Sequence, residues 1–228
     1  MPSHPIHVAI VDDHTLFRKT LKAYLSDQQN MNVVFQAETM SELFHKLKEI
    51  SIDILLMDIF LPDVNGSEAI AEIKKGYPHI KVLALSMSTD IELISNMLEA
   101  GIHGFISKSD EPESLVQAIM AASSGRIYRN RLFTEALYWN KQNSIKADMD
   151  RSSVLLNDRE KKILQLIWEE KSNKEIADEL FLGVRSVEKI RQDLKEKTGA
   201  KSTVGLLKYG IQKKIIYTRE VAVMPLRF

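Results

Sequence analysis

Apolar positions in the first half of the chain fall into short unbroken runs, each followed by a stretch with helical spacing. His7-Val-Ala-Ile-Val11, Asn32 to Ala37, Ile54-Leu-Leu-Met-Asp58, Ile80-Lys-Val-Leu-Ala-Leu85 and His103-Gly-Phe-Ile106 have the character of strands, and the third is apolar enough for burial on both faces. Between and after them, Thr15–Asp27, Ser41–Glu49, Ser67–Lys75, Asp90–Glu99 and Pro112–Ser124 predict helices. In the first helix, Leu16, Phe17, Thr20, Leu21, Tyr24 and Leu25 are expected on one side. Ser41 is the expected cap of the second, and Pro112 takes a favoured first-turn position in the fifth. Gly76 with Pro78, Gly101 and Gly125 are stops. Five strands alternating with five helices predict an α/β doubly wound five-stranded parallel sheet.

The pattern then changes. From 127 to about 152 it weakens: Leu132, Leu137, Tyr138 and Trp139 suggest a short helix, and Asn140 to Asp150 is polar and reads as linker. From Leu155 it is purely helical. Asn157, with Glu160 three residues on, predicts a variant capping box and a helix to about Glu170, with Ile163, Leu164, Ile167 and Trp168 inward. After the turn Lys171-Ser-Asn, a second helix covers Lys174–Phe181. A third runs from Val184 to about Thr198, ended by Gly199, and a fourth covers Ser202–Lys214. The expected organisation is an α/β domain over 1–126, a linker over 127–152, an all-α four-helix domain over 153–217, and a tail from 218 to 228 with no legible pattern.

Composition sharpens this division. The net charge is zero, yet residues 1–126 hold 10 Lys and Arg against 17 Asp and Glu, whereas residues 127–228 hold 21 against 14. An acidic half joined to a basic half implies different partners, with nucleic acid a candidate for the second. The absence of cysteine excludes disulfides and thiolate metal sites. There is no signal peptide and no apolar run long enough to span a bilayer, so the expectation is a cytoplasmic protein without a membrane partner.

Chemistry concentrates where the strands end. Asp12 and Asp13, Asp58, Ser86 and Lys108 each follow a predicted strand. In an open α/β sheet those carboxyl ends share one edge, where ligands bind. Clustered carboxylates repel unless a cation is bound, and oxygen ligands with positions left for water and phosphate suit Mg²⁺, or another divalent cation such as Mn²⁺. Lys108 supplies a compact charge for phosphate oxygens. The set fits phosphoryl transfer, in which catalysis is positioning and charge neutralisation. No Walker loop or dinucleotide glycine fingerprint is present.

Residues 6 to about 126 resemble a response-regulator receiver domain, through Asp12-Asp13, Met57-Asp58 with Pro62 and Gly66 behind it, Leu85-Ser86 and Phe105-Ile-Ser-Lys108. The resemblance implies a flavodoxin-like fold in which Asp58 accepts a phosphoryl group from a sensor histidine kinase. It implies direct Mg²⁺ ligation by Asp13, Asp58 and the carbonyl of Phe60, with Asp12 acting through water. It also implies that Ser86 and Lys108 grip the phosphoryl oxygens and that Ser86 and Phe105 form the switch. Phe105, with no hydroxyl, can signal only by packing. Two other readings compete: a metal-dependent phosphatase, which would need a second acid where Phe60 stands, and a pseudo-receiver or interaction module not controlled by phosphorylation.

Leu156-Asn-Asp-Arg-Glu160, Ser172-Asn-Lys-Glu-Ile-Ala177, Ser186-Val187 and Lys197-Thr-Gly199 resemble the LuxR-type helix-turn-helix, so the whole chain resembles a NarL/FixJ-type response regulator. In the third helix of this half, Val184, Val187, Ile190 and Leu194 are spaced to face the core. Arg185, Glu188, Lys189, Gln192 and Glu196 fall opposite, flanked by Arg191, Lys195 and Lys197, a composition suited to the major groove. Lys189 and Gln192 are expected at base edges, with Arg191, Lys195 and Lys197 nearer phosphates. In the last helix Val204, Leu207 and Ile211 face the domain core. Leu206, Tyr209 and Gly210 then form a second apolar stripe, a candidate homodimer seam unless linker or tail covers it. The implied partners are a histidine kinase, double-stranded operator DNA, RNA polymerase and a second copy of the chain on activation.

Overall fold

The computed structural model describes residues 4–62, 64–143 and 156–216. The predicted tail from 218 and the linker beyond Asn143 lie outside these residues.

Five strands, β1 (Ile6–Val11), β2 (Met31–Ala37), β3 (Ile54–Asp58), β4 (Lys81–Ser86) and β5 (Gly104–Ser107), pair in parallel in the order β2-β1-β3-β4-β5. All five residues of β3 are buried, because it is the central strand with helices on both faces. The order reverses direction between β1 and β3. That switch point brings the ends of these two strands together above the sheet edge.

On one face lie α2 (Met40–Leu47), α3 (Gly66–Gly76) and α4 (Ile91–Ala100); on the other lie α1 (Thr15–Ser26) and α5 (Pro112–Ser123). Two local expectations differ, one of a cap and one of a helix face. Thr39, not Ser41, caps α2 by accepting the Glu42 N–H, because the strand ends early enough to leave Thr39 extended. In α1, Leu16 is 81% exposed while Arg18 is buried and donates to the Asp12 carbonyl and to Glu38. A long cation with two acceptors displaces leucine from the inward face.

Residues placed in the linker form a helix, α6 (Arg131–Asn143), packed against α4 with Phe133, Ala136 and Leu137 buried. Beyond it come α7 (Asp158–Trp168), α8 (Asn173–Glu179), α9 (Val184–Thr198) and α10 (Thr203–Gln212). Capping boxes open α7 (Asn157 with Glu160) and α8 (Ser172 with Glu175). Gly199, at φ 72°, ends α9 in the left-handed conformation that glycine adopts without penalty. One core cluster continues from α2, α3 and α4 through α6 into α7–α10, so the two halves pack on each other. Among the described residues, no helix is long and apolar enough to cross a membrane.

Candidate functional site

At the switch point Asp12, Asp13, Asp58 and Lys108 come together. Asp12, directly after β1, and Asp58, which ends β3, are buried, and Asp13 is exposed beside them. Lys108, after β5, places its ammonium 2.5 Å from Asp58 Oδ2 and 2.8 Å from Asp12 Oδ2. Burial works against the Lys108 charge, but these two carboxylates outweigh it and hold the lysine pKa above its ordinary value. The ammonium also lies 4.7 Å from the Phe17 ring centre. The second Asp58 oxygen accepts the Phe60 N–H at 2.9 Å, which turns the Phe60 peptide toward the acids. Gly66 permits this fold-back: a β-carbon there would stand 2.8 Å from the Ile59 carbonyl oxygen. Ser86 is fully buried at the end of β4, its Oγ accepting the Ser88 N–H at 2.9 Å. Phe105 is fully buried, and its carbonyl accepts from Asn130 Nδ2 at 2.9 Å.

The divalent-cation expectation can be tested against this geometry. Asp12, Asp13, His14 and Asp58 offer ligand atoms all within 4.8 Å of one another. Asp12 Oδ2 is buried and, despite the nearby lysine, has no aligned hydrogen-bond partner. Three carboxylates and an imidazole gathered at one sheet edge, with one lysine against them, fit a cation bound directly or through water. His14 was missed by the sequence reasoning: its Nδ1 lies 2.8 Å from Asp13 Oδ1, and its position after the acid pair was the available signal.

In the helical half, α9 presents Arg185, Glu188, Lys189 and Gln192 to solvent. Val184, expected inward, is 40% exposed, because the first turn of α9 projects past the domain core. Arg191 and Lys197, expected nearer phosphates, make contacts within the protein itself. Arg191 turns inward to Asn173 and Thr203, and burial lowers its pKa. Lys197 pairs with the buried Glu160 of the α7 capping box. Lys195 is half-buried, lowered by burial and by Arg191, and lines a crevice facing α3 and β4 of the first domain.

The expected exposed stripe on α10 is also corrected: Leu206 and Gly210 are buried and Tyr209 is half-buried. α10 lies against α4 and α6. Ile216 folds over Gly210, whose carbonyl accepts the Ile215 and Ile216 N–H groups at 2.8 and 3.2 Å. Lys208, 8% exposed, is the polar link across this contact. Its Nζ reaches Ser95 Oγ at 3.0 Å, the Ser95 carbonyl at 3.4 Å and Glu99 Oε1 at 3.0 Å. Arg129 adds a second link between the halves, pairing with Glu170 at 2.8 Å and lying 4.2 Å from the Trp168 ring centre.

The profile of the response regulator receiver domain matches residues 8–120, and that of the bacterial regulatory proteins of the luxR family matches residues 154–209. Over 213 residues, 92% of this chain and 98% of the other, the sequence is 33% identical to the oxygen regulatory protein NreC of Staphylococcus aureus. The chain belongs to the NarL/FixJ-type response regulators. A solved structure of the Salmonella typhimurium RcsB response regulator shares the fold, with a TM-score of 0.57 at 24% identity over 90% of this chain and 98% of that one. An RcsB–DNA complex does so at 0.57 and 23%, over 92% and 99%.

As a response regulator, the chain joins a receiver to a LuxR-type helix-turn-helix domain and is a regulator of transcription in two-component signalling. The receiver half of the site is built from four separate segments of sequence, at the ends of β1, β3, β4 and β5. The helix-turn-helix half is split between an outward face of α9 and Arg191 and Lys195, which line the crevice between the halves.

Proposed function

We propose that Asp58 accepts a phosphoryl group from a sensor histidine kinase and that this controls DNA binding by the C-terminal domain in the cytoplasm. The observation that carries this reading is the buried Asp58 carboxylate, held between Lys108 and the Phe60 N–H beside Asp12 and Asp13. An Asp58 oxygen attacks the phosphorus of the phosphohistidine. A P–O bond forms, the P–N bond breaks, and the kinase imidazole leaves. Asp13, Asp58 and the Phe60 carbonyl would hold Mg²⁺ or Mn²⁺, with Asp12 acting through water; the cation would neutralise charge on the transferring group. Lys108 shifts from the free carboxylate to a phosphoryl oxygen, and the Ser86 hydroxyl hydrogen-bonds another. The receiver assists its own phosphorylation and dephosphorylation and is otherwise not an enzyme.

The Ser86 shift pulls on the loop leading into α4, and Phe105 follows by repacking. Because α4 carries Ser95 and Glu99, the partners of Lys208, its displacement loosens the hold on α10 and frees the inward side of α9. Such a two-state release needs a bias of only a few kcal/mol. The freed Leu206, Tyr209 and Gly210 stripe then serves as the seam of a homodimer, which reads two half-sites about one helical turn apart and engages RNA polymerase. Arg185, Glu188, Lys189 and Gln192 face the groove, with Arg191, Lys195 and Lys197 toward its walls.

Incubation with acetyl phosphate and Mg²⁺, followed by intact mass measurement, tests the acceptor. The expected adduct is about 80 Da, one phosphoryl group, and is absent in Asp58→Asn. Equal labelling of the variant would remove Asp58 from the role, and an unlabelled parent would favour a transcription factor independent of phosphorylation.

A further inference from the structure

The crevice between receiver and DNA-binding domain encloses about 330 Å³ and is lined by Lys74 of α3, Lys81 of β4, Arg191 and Lys195 of α9, and Lys201. Glu188 is the one acid among its lining residues. Among the described residues, none of the five cations pairs with a carboxylate. The hydrogen-bond partners they have are neutral: Lys74 donates to the Ile80 carbonyl at 2.5 Å and meets His103 Nδ1 at 3.4 Å, and Arg191 bonds Asn173 and Thr203. Burial, then the charges of Lys81 and Lys195, lowers the Lys74 pKa to about 7. Like charges brought together out of water repel and call for a counter-charge.

We propose that this crevice binds a phosphate-class polyanion, free or as the polyphosphate of a nucleotide, which bridges the two domains and holds the regulator closed. A polyanion suits five cations and one acid better than a monoanion does, and the volume lies in the range of small-molecule sites. Duplex DNA does not fit, since the crevice is bounded on both sides by protein. Lys74 and Lys81 belong to the receiver, whereas Arg191 and Lys195 belong to α9, the helix proposed to meet DNA. The bound anion and DNA therefore compete for the same two side chains. The site is separate from Asp58, and because the anion would hold closed the arrangement that phosphorylation is proposed to open, the two oppose each other.

Calorimetric titration of the full chain with pyrophosphate, in EDTA and at fixed ionic strength, tests this. One saturable site per chain is expected, weakened at least tenfold in Lys74→Gln/Lys81→Gln and kept within threefold in Lys74→Arg/Lys81→Arg, which separates lost charge from damaged folding. Tighter binding of ADP than of pyrophosphate would assign a nucleotide as the source, and weaker binding a free polyanion. The idea is overturned if pyrophosphate does not saturate, if sulfate or chloride at the same ionic strength acts equally, or if the Gln variant binds as tightly as the parent.

Discussion

Replacing Lys208 by Met should raise DNA affinity without phosphorylation. Methionine keeps the aliphatic stem that packs between α4 and α10 and removes only the ammonium. The charge makes two contacts to buried Ser95 and one to Glu99. Glu99 is 54% exposed, so that pair contributes about 0–1 kcal/mol. Hydrogen bonds from a charged donor contribute about 1.5–3 kcal/mol, but burial opposes this charge and, although Glu99 partly offsets it, leaves the Lys208 pKa lowered. Taking both together, the closed arrangement should lose about 1–2 kcal/mol, a shift of about 5–30-fold toward the open form. Because closure hides part of α9 from any duplex, the effect should appear on random DNA as well as on an operator. Fluorescence anisotropy of labelled duplex with unphosphorylated protein reads it directly. If phosphorylation acts on the same equilibrium, as proposed, its added effect in the variant should shrink by about the same factor. Unchanged affinity of unphosphorylated Lys208→Met would refute the latch and the release mechanism built on it.

Gly66→Ala places a methyl against the Ile59 carbonyl; it should cost about 1–3 kcal/mol in thermal denaturation and slow labelling of Asp58 by acetyl phosphate. Lys197→Ala leaves the buried Glu160 without its cation and should cost about 1–2 kcal/mol of stability, whereas Lys189→Ala should leave melting unchanged and lower discrimination between operator and random DNA. Glu160 is held below its ordinary 4.5, burial opposing and Lys197 and the Asn157 N–H prevailing. Its contribution is present above that value and lost as pH falls through the lowered one, so the acid loss should be shallower in Lys197→Ala. Lys74 runs the other way. Its folded pKa, near 7, is below the ordinary 10.5, so the penalty for burying its charge fades as pH rises from 7 toward 10.5. Chemical denaturation at pH 7 and pH 9 should show a rise in stability that Lys74→Gln flattens.

The sheet was legible because parallel strands covered on both faces must be apolar throughout, and the acids stood out where those runs stopped. Their convergence followed from topology alone. The interdomain contact was not legible from period. Lys208 lies four residues after Val204 and three before Ile211, a cation in the middle of an apolar helix face, and Arg191 bears the same relation to Val187 and Leu194. Both were signals of a distant polar partner, but nothing local in sequence named Ser95 or Thr203. Arg18 was overlooked for the same reason. The α10 stripe was correctly seen as apolar; whether it met a second copy or the same chain depended on α4 and α6, more than sixty residues away.

Helix α6 carries a consequence for anyone dividing this protein. Cutting after residue 126, where the receiver pattern ends, would strip Phe133, Ala136 and Leu137 from the face of α4 and remove Asn130 from the Phe105 carbonyl. A fragment made that way would bare the oily surface that α6 covers in the intact chain. Self-association measured on it would report the wound rather than the signal. Chimeras that graft this receiver onto another output module should keep the chain through Asn143, so that α4 keeps the cover of α6.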